Sequence, residues 1–155
     1  MSEWIGLPQD EEELEKYIGF VYLITRTNIT EQEMADGIPY KYIGLKNLKK
    51  KKTLKALKGK KRKRISFVQS DYESYYGSSE ELKKSVELHG KENFRREVLH
   101  MCETKWVLKF MEAAEQIKRN VLFDPCYFNG ILNLRIGKCP KALNEKYAKL
   151  MSDFF

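Results

Sequence analysis

Three groups of residues in this chain have types and spacings that could do chemistry. They are a cationic run at residues 49–64, the phenols of Tyr22 and Tyr42, and the carboxylate of Glu112, set between Phe110-Met111 and Ala113-Ala114. The run KKKKTLKALKGKKRKR holds eleven Lys and Arg and no acid, whereas the rest of the chain has 18 cations against 22 acids. One segment therefore supplies the whole net charge of +7, while the first sixteen residues are acidic (Asp10 to Glu13, Glu15). Such asymmetry is the footprint of a polyanion partner; a solvated lysine loop or a nuclear-localisation-like run has the same composition. Phenols hydrogen-bond readily but, with a usual pKa of about 10, make poor bases at pH 7 unless a cation lies close by. On strands they are also ordinary half-buried packing residues.

The remaining reactive side chains exclude other chemistries. His89 and His100 are the only histidines, too few for a histidine-rich metal cluster. Cys102, Cys126 and Cys139 are scattered without a C-x-x-C pair, which reads as free buried thiols. No apolar stretch approaches the ~18 residues of a membrane span, and the acidic opening is unlike a signal peptide. A cytoplasmic protein without a membrane partner or an obligate protein partner is expected.

These groups need elements to position them. Acids in the first turn place a short helix at EEELEKY, ending near Gly19. Phe20 to Thr25 is a β-branched and aromatic run, a buried strand. Residues 26–37 read as a polar loop closing on Asp36-Gly37, and Pro39 to Gly44 as the return strand of a hairpin. Beyond the lysine run, Ile65 to Val68 reads as a short extended piece and Ser70 to Gly77 as a structured loop in which Tyr72, Tyr75 and Tyr76 pack or stack on bases. Ser78 or Ser79 caps a helix running to His89, stopped by Gly90. Phe94 to His100 gives a third strand. Trp106, Val107, Phe110, Met111, Ala114, Ile117 and Val121 follow a helical period, and a last amphipathic helix follows Pro140.

In that order the motifs resemble the GIY-YIG nuclease superfamily, above all its small phage-encoded, homing-type members. Val21-Tyr22-Leu23-Ile24 stands at the first motif, with Phe20-Val21 for Gly-Ile, and Tyr42-Ile43-Gly44 is the second motif unchanged. Leu82 to Phe94 resembles the family's helix and Asn-Phe entry to the third strand, Phe110 to Glu115 its glutamate helix, and Tyr127-Phe128-Asn129-Gly130 its late asparagine motif. Lys58 to Arg64 and Ser70 to Ser79 resemble stretches following the second motif in phage members.

The resemblance implies an α+β domain with a central antiparallel three-stranded sheet flanked by helices. It would span residues 19–136, with a basic insertion at 46–64, an acidic helical extension at 1–18 and a C-terminal helix at 137–155. It implies a metal-dependent DNA endonuclease, or alternatively a catalytically impaired nucleic-acid binder on the same fold. An RNA-binding or ribosome-associated protein has only the lysine run in its favour. Tyr22 would be general base or water-positioner, with Tyr42 beside it, Glu112 the ligand of one Mg²⁺ (or Mn²⁺), and Asn129 a supporting hydrogen-bonder. Glu115 is a solvated neighbour, or the ligand if the register shifts a turn. The family's phosphate-binding arginine has Lys52 at its place, so Lys46, Lys52, Arg62 or Arg64 would substitute. Lys49, Lys50, Lys51, Lys52, Lys58, Lys60, Lys61, Arg62, Lys63 and Arg64 would hold double-stranded DNA through its phosphates.

Overall fold

The computed structural model describes residues 3–132 and 134–154. Among the described residues, six strands and five α-helices follow in the order β1 (Trp4–Ile5), α1 (Glu11–Glu15), β2 (Gly19–Arg26), α2 (Glu31–Ala35), β3 (Lys41–Asn47), β4 (Lys49–Leu54), β5 (Arg64–Gln69), α3 (Glu80–His89), β6 (Phe94–Cys102), α4 (Lys105–Lys118) and α5 (Lys141–Phe154).

All eight residues of β2 are buried. The reason is its central place: β6 and β3 flank it in antiparallel pairing, and both of its faces are covered. Phe20, Tyr22 and Ile24 point to one face and pack with Leu82 and Val86 of α3, Phe94 and Tyr72. Val21 and Leu23 point to the other, against Ile43 and the Val107, Leu108 and Met111 stripe of α4. A strand buried on both faces reads as a continuous apolar run rather than an alternating one. Truncating a fully buried leucine such as Leu82 costs about 2–5 kcal/mol.

The sheet departs from expectation at one edge. It has four strands in the order β1-β6-β2-β3, and β1 pairs in parallel with β6, so the sheet is mixed rather than three-stranded and antiparallel. Trp4 is the anchor, with its ring 4.8 Å from Phe20 and 5.4 Å from Tyr22, centroid to centroid. The acidic first residues thus carry a strand as well as the short helix. Beside Tyr22 the β2–β6 register slips by one, since Val21 faces His100 while Tyr22 faces Val98. Leu99 is the extra residue, a bulge of the kind that re-aims side chains next to sites.

The lysine run is strand at both ends, with residues 55–63 as the loop between them. Residues 49–54 and 64–69 form an antiparallel ribbon outside the main sheet, with Lys49 opposite Gln69 at its base and Leu54 opposite Arg64 near its tip. Residues 26–37 hold the helix α2, started by a Thr30–Glu33 capping box and tied to β2 by the Arg26–Glu33 pair at 2.7 Å. The α3, β6, α4 and α5 expectations match their observed elements to within a few residues. Gly90 closes α3 at φ +87°, which favours glycine. Among the described residues after Asn129, no strand forms before α5.

Candidate active site

β3 is an edge strand, and what covers its outer edge builds the site. The backbone groups of Lys41, Ile43 and Leu45 face away from β2 and are satisfied in turn. Lys41 N–H donates to the Cys126 carbonyl at 2.9 Å, and its own carbonyl accepts from Phe128 N–H at 2.7 Å. Ile43 N–H donates to Asn129 Oδ1 at 3.0 Å, and the Ile43 carbonyl accepts from Asn129 Nδ2 at 2.7 Å and Gln116 Nε2 at 3.1 Å. Leu45 N–H lies against the Glu112 carboxylate. Segment 126–128, then an amide side chain, then a carboxylate thus complete a surrogate fifth strand.

This edge opens onto a groove of about 370 Å³ lined by Tyr42, Ser78, Glu112, Gln116, Asn129 and Ile131, among others. Tyr42 enters from one side of the sheet, its hydroxyl 3.0 Å from Ser78 Oγ. Glu112 enters from α4 on the other side. Burial pushes the Glu112 carboxyl above the usual carboxylate range, and the Leu45 N–H offsets part of that rise. Among the described residues no Lys, Arg or His pairs with Glu112, and no cluster of three potential metal ligands exists. A half-buried carboxylate among hydroxyl and amide oxygens fits a hard cation that takes one carboxylate plus water and phosphate oxygens.

Tyr22 lies behind this groove rather than in it. It is fully buried, opposite Gly44, with its ring centroid 6.1 Å from Tyr42 and 6.0 Å from Tyr75. Burial drives its pKa well above that of a free phenol, and Tyr75, Tyr42 and Glu112 all push it the same way. Tyr42 is raised too, by burial first, although its bond to Ser78 works against this. Among the described residues no cation lowers either phenol. Both are neutral hydrogen-bonding groups at pH 7.

The expected cations are elsewhere. Lys46 Nζ sits on Asp71 Oδ1 at 2.6 Å and over the Tyr75 ring at 4.0 Å. Lys52 is exposed on the ribbon, and Arg62 and Arg64 lie at its tip, where Arg64 Nε donates to the Lys55 carbonyl at 3.3 Å. None of these residues lines the groove. Glu115 is not solvated: it is buried and held by His100 at 2.7 Å and Arg119 at 2.8 Å. Tyr72, Tyr75 and Tyr76 pack against the core. The cysteines are free, but only Cys102 is buried.

Gln116 was not among the expected site residues, and Ser78 and Tyr75 were expected only as a helix-cap candidate and a packing or stacking tyrosine. Gln116 had a signal, since it stands four residues after Glu112 and therefore on the same helix face.

No curated protein and no solved structure matches the chain. Residues 4–132 match the family model described as "Putative endonuclease segE, GIY-YIG domain". With the motif order, the edge-strand site and this match over most of its length, the chain belongs to the GIY-YIG nuclease family.

Proposed function

We propose that this protein is a divalent-metal-dependent endonuclease that hydrolyses phosphodiester bonds in double-stranded DNA. The observation that carries the reading is the convergence of Tyr42 and Glu112, from opposite sides of the sheet, on one polar groove. Glu112 would hold a single Mg²⁺ or Mn²⁺ ion, which when bound would supply Lewis-acid polarisation of the phosphate. Tyr42 presents a neutral hydroxyl, oriented by Ser78, that donates to a phosphate oxygen or steers the attacking water. Tyr22 acts through its neighbours: it props Tyr42 and Tyr75 from beneath and is a positioning residue, not a base. Asn129 and Gln116 fix the Ile43 backbone and with it the register of Tyr42 and Leu45. The ribbon supplies the attraction to phosphates, and homing-type, phage-encoded action in the host cytoplasm is the biological setting that fits.

A second reading has one specific observation in its favour. Among the described residues, no Lys or Arg lines the groove, as in a nucleic-acid binder that has lost turnover. Purified protein incubated with supercoiled plasmid in Mg²⁺, Mn²⁺ or EDTA separates the two. Metal-dependent nicking that Glu112→Ala abolishes and Tyr42→Phe lowers by roughly 10²-fold or more is expected. Binding without nicking in any metal selects the second reading.

A further inference from the structure

The two faces of the β4–β5 ribbon have unequal electrostatic surroundings, and the difference comes from outside the ribbon. Opposed residues of an antiparallel pair share a face and neighbours alternate. The register therefore puts Lys50, Lys52, Leu54, Arg64, Ser66 and Val68 on one face and Lys49, Lys51, Thr53, Phe67 and Gln69 on the other. The second face borders a cleft of about 290 Å³ with Lys49, Phe67 and Gln69 along one wall and Glu11, Leu14 and Glu15 of α1 along the other; Glu73 lines it too. Three carboxylates share that cleft with one ammonium. The first face contributes no residue to it, and neither ribbon strand contains an acid.

We propose that the ribbon binds duplex DNA through one face only, that of Lys50, Lys52 and Arg64, laid into the major groove, while α1 bars phosphates from the opposite face. This rests on the nuclease reading above and adds how the substrate is held. A two-stranded ribbon fits the major groove, about 12 Å wide, and not the minor groove, about 6 Å wide. Six residues at ~3.3 Å each give a ribbon of roughly 20 Å, long enough to follow the groove over several base pairs. Arg64 carries a guanidinium whose donors reach guanine O6 and N7 from such a position. The carboxylates of α1 line the same cleft as the second face, so they oppose a phosphate backbone laid there. All ten cations were expected to act alike; the register and the cleft divide the five of them that lie on the paired strands.

The test removes equal charge from each face. Duplex binding is measured in EDTA, where no cutting interferes, for Lys50→Ala/Lys52→Ala and for Lys49→Ala/Lys51→Ala. All four lysines are exposed, so folding is not at issue. The first pair is expected to weaken affinity roughly tenfold or more, with the slope of log K against log salt falling by ~1.8, or ~0.9 for each phosphate no longer neutralised. The second pair weakens it by less than about threefold, and Glu11→Gln/Glu15→Gln tightens binding, because the like-charge repulsion of phosphates is relieved. Bulky groups at pyrimidine C5, which fill the major groove, weaken binding by the unchanged protein, while a minor-groove ligand does not displace it. Equal effects from the two lysine pairs, or displacement by the minor-groove ligand instead, overturn the one-faced ribbon and leave the nuclease reading standing. Unchanged protein that neither binds nor cuts any duplex overturns the nuclease reading itself.

Discussion

The Tyr22 hydroxyl rests on the Cα of Gly44, so closely that a Cβ at residue 44 would lie 2.5 Å from Oη and 2.8 Å from Cζ. The same Cβ would meet Tyr42 Cε1 at 3.0 Å. Gly44 is thus the one residue of the second motif whose missing side chain seats both phenols. Gly44→Ala is expected to lower the nicking rate by roughly 10²-fold, because displacement of catalytic groups by about 1 Å has that effect. Stability should fall by only about 1–3 kcal/mol, the usual range for overpacking. A melting curve beside the plasmid assay checks both; normal cutting would mean that Tyr22 and Tyr42 do not need their present seats.

Asn129 gives the second expectation. Its side chain makes both hydrogen bonds to Ile43 that a neighbouring strand would make. Asn129→Leu leaves the buried Ile43 N–H without its acceptor, at a cost of about 1–3 kcal/mol. Denaturant titration should show the midpoint falling without a change in slope.

The Glu115 network gives a pH dependence. Burial alone would push its carboxyl up, but the hydrogen bonds from His100 and Arg119 outweigh that and hold it below the usual range. The folded pKa lies below the unfolded value of about 4.3, so this stabilisation is complete above that value and fades as pH falls through the folded pKa. Glu115→Gln should cost about 2 kcal/mol at pH 7, in line with charge-assisted hydrogen bonds, and the gap from the unchanged protein should narrow in acid. A gap that stays constant from neutral pH to strongly acidic pH would refute this account.

The ribbon should be separable from the domain. β4 and β5 pair only with each other, so replacing residues 50–68 by a short glycine turn should move the melting temperature by only a few degrees, on the order of 1 kcal/mol. Duplex affinity should collapse and lose most of its salt dependence.

Much of this was legible in the residues. The unbroken apolar run of β2 announced a buried strand, and the periodic stripe announced α4. What stayed hidden has physical causes. β1 is two residues long, too short for any periodicity, and its value lies in the distant packing of Trp4. α2 has no apolar face, although Thr30-Glu31-Gln32-Glu33 carries the capping-box signature. Consecutive lysines have low strand propensity, and only pairing with residues 64–69 makes them a strand. The site was half legible. Tyr42 and Glu112 meet as the motifs imply, but the depth of Tyr22 and the engagement of Lys46 by Asp71 depend on a loop, residues 70–77, whose path no local pattern dictates.

The covering of the outer edge of β3 has a consequence beyond catalysis. A bare edge strand is a template on which another chain can add its own. Here the open positions are plugged by Asn129, Gln116 and Glu112, side chains that cannot pass the ladder on to a next strand. The groove that would admit a substrate is therefore also a stopper against self-association. Variants that empty it should reveal themselves first as protein that aggregates during purification, before any loss of turnover is measured.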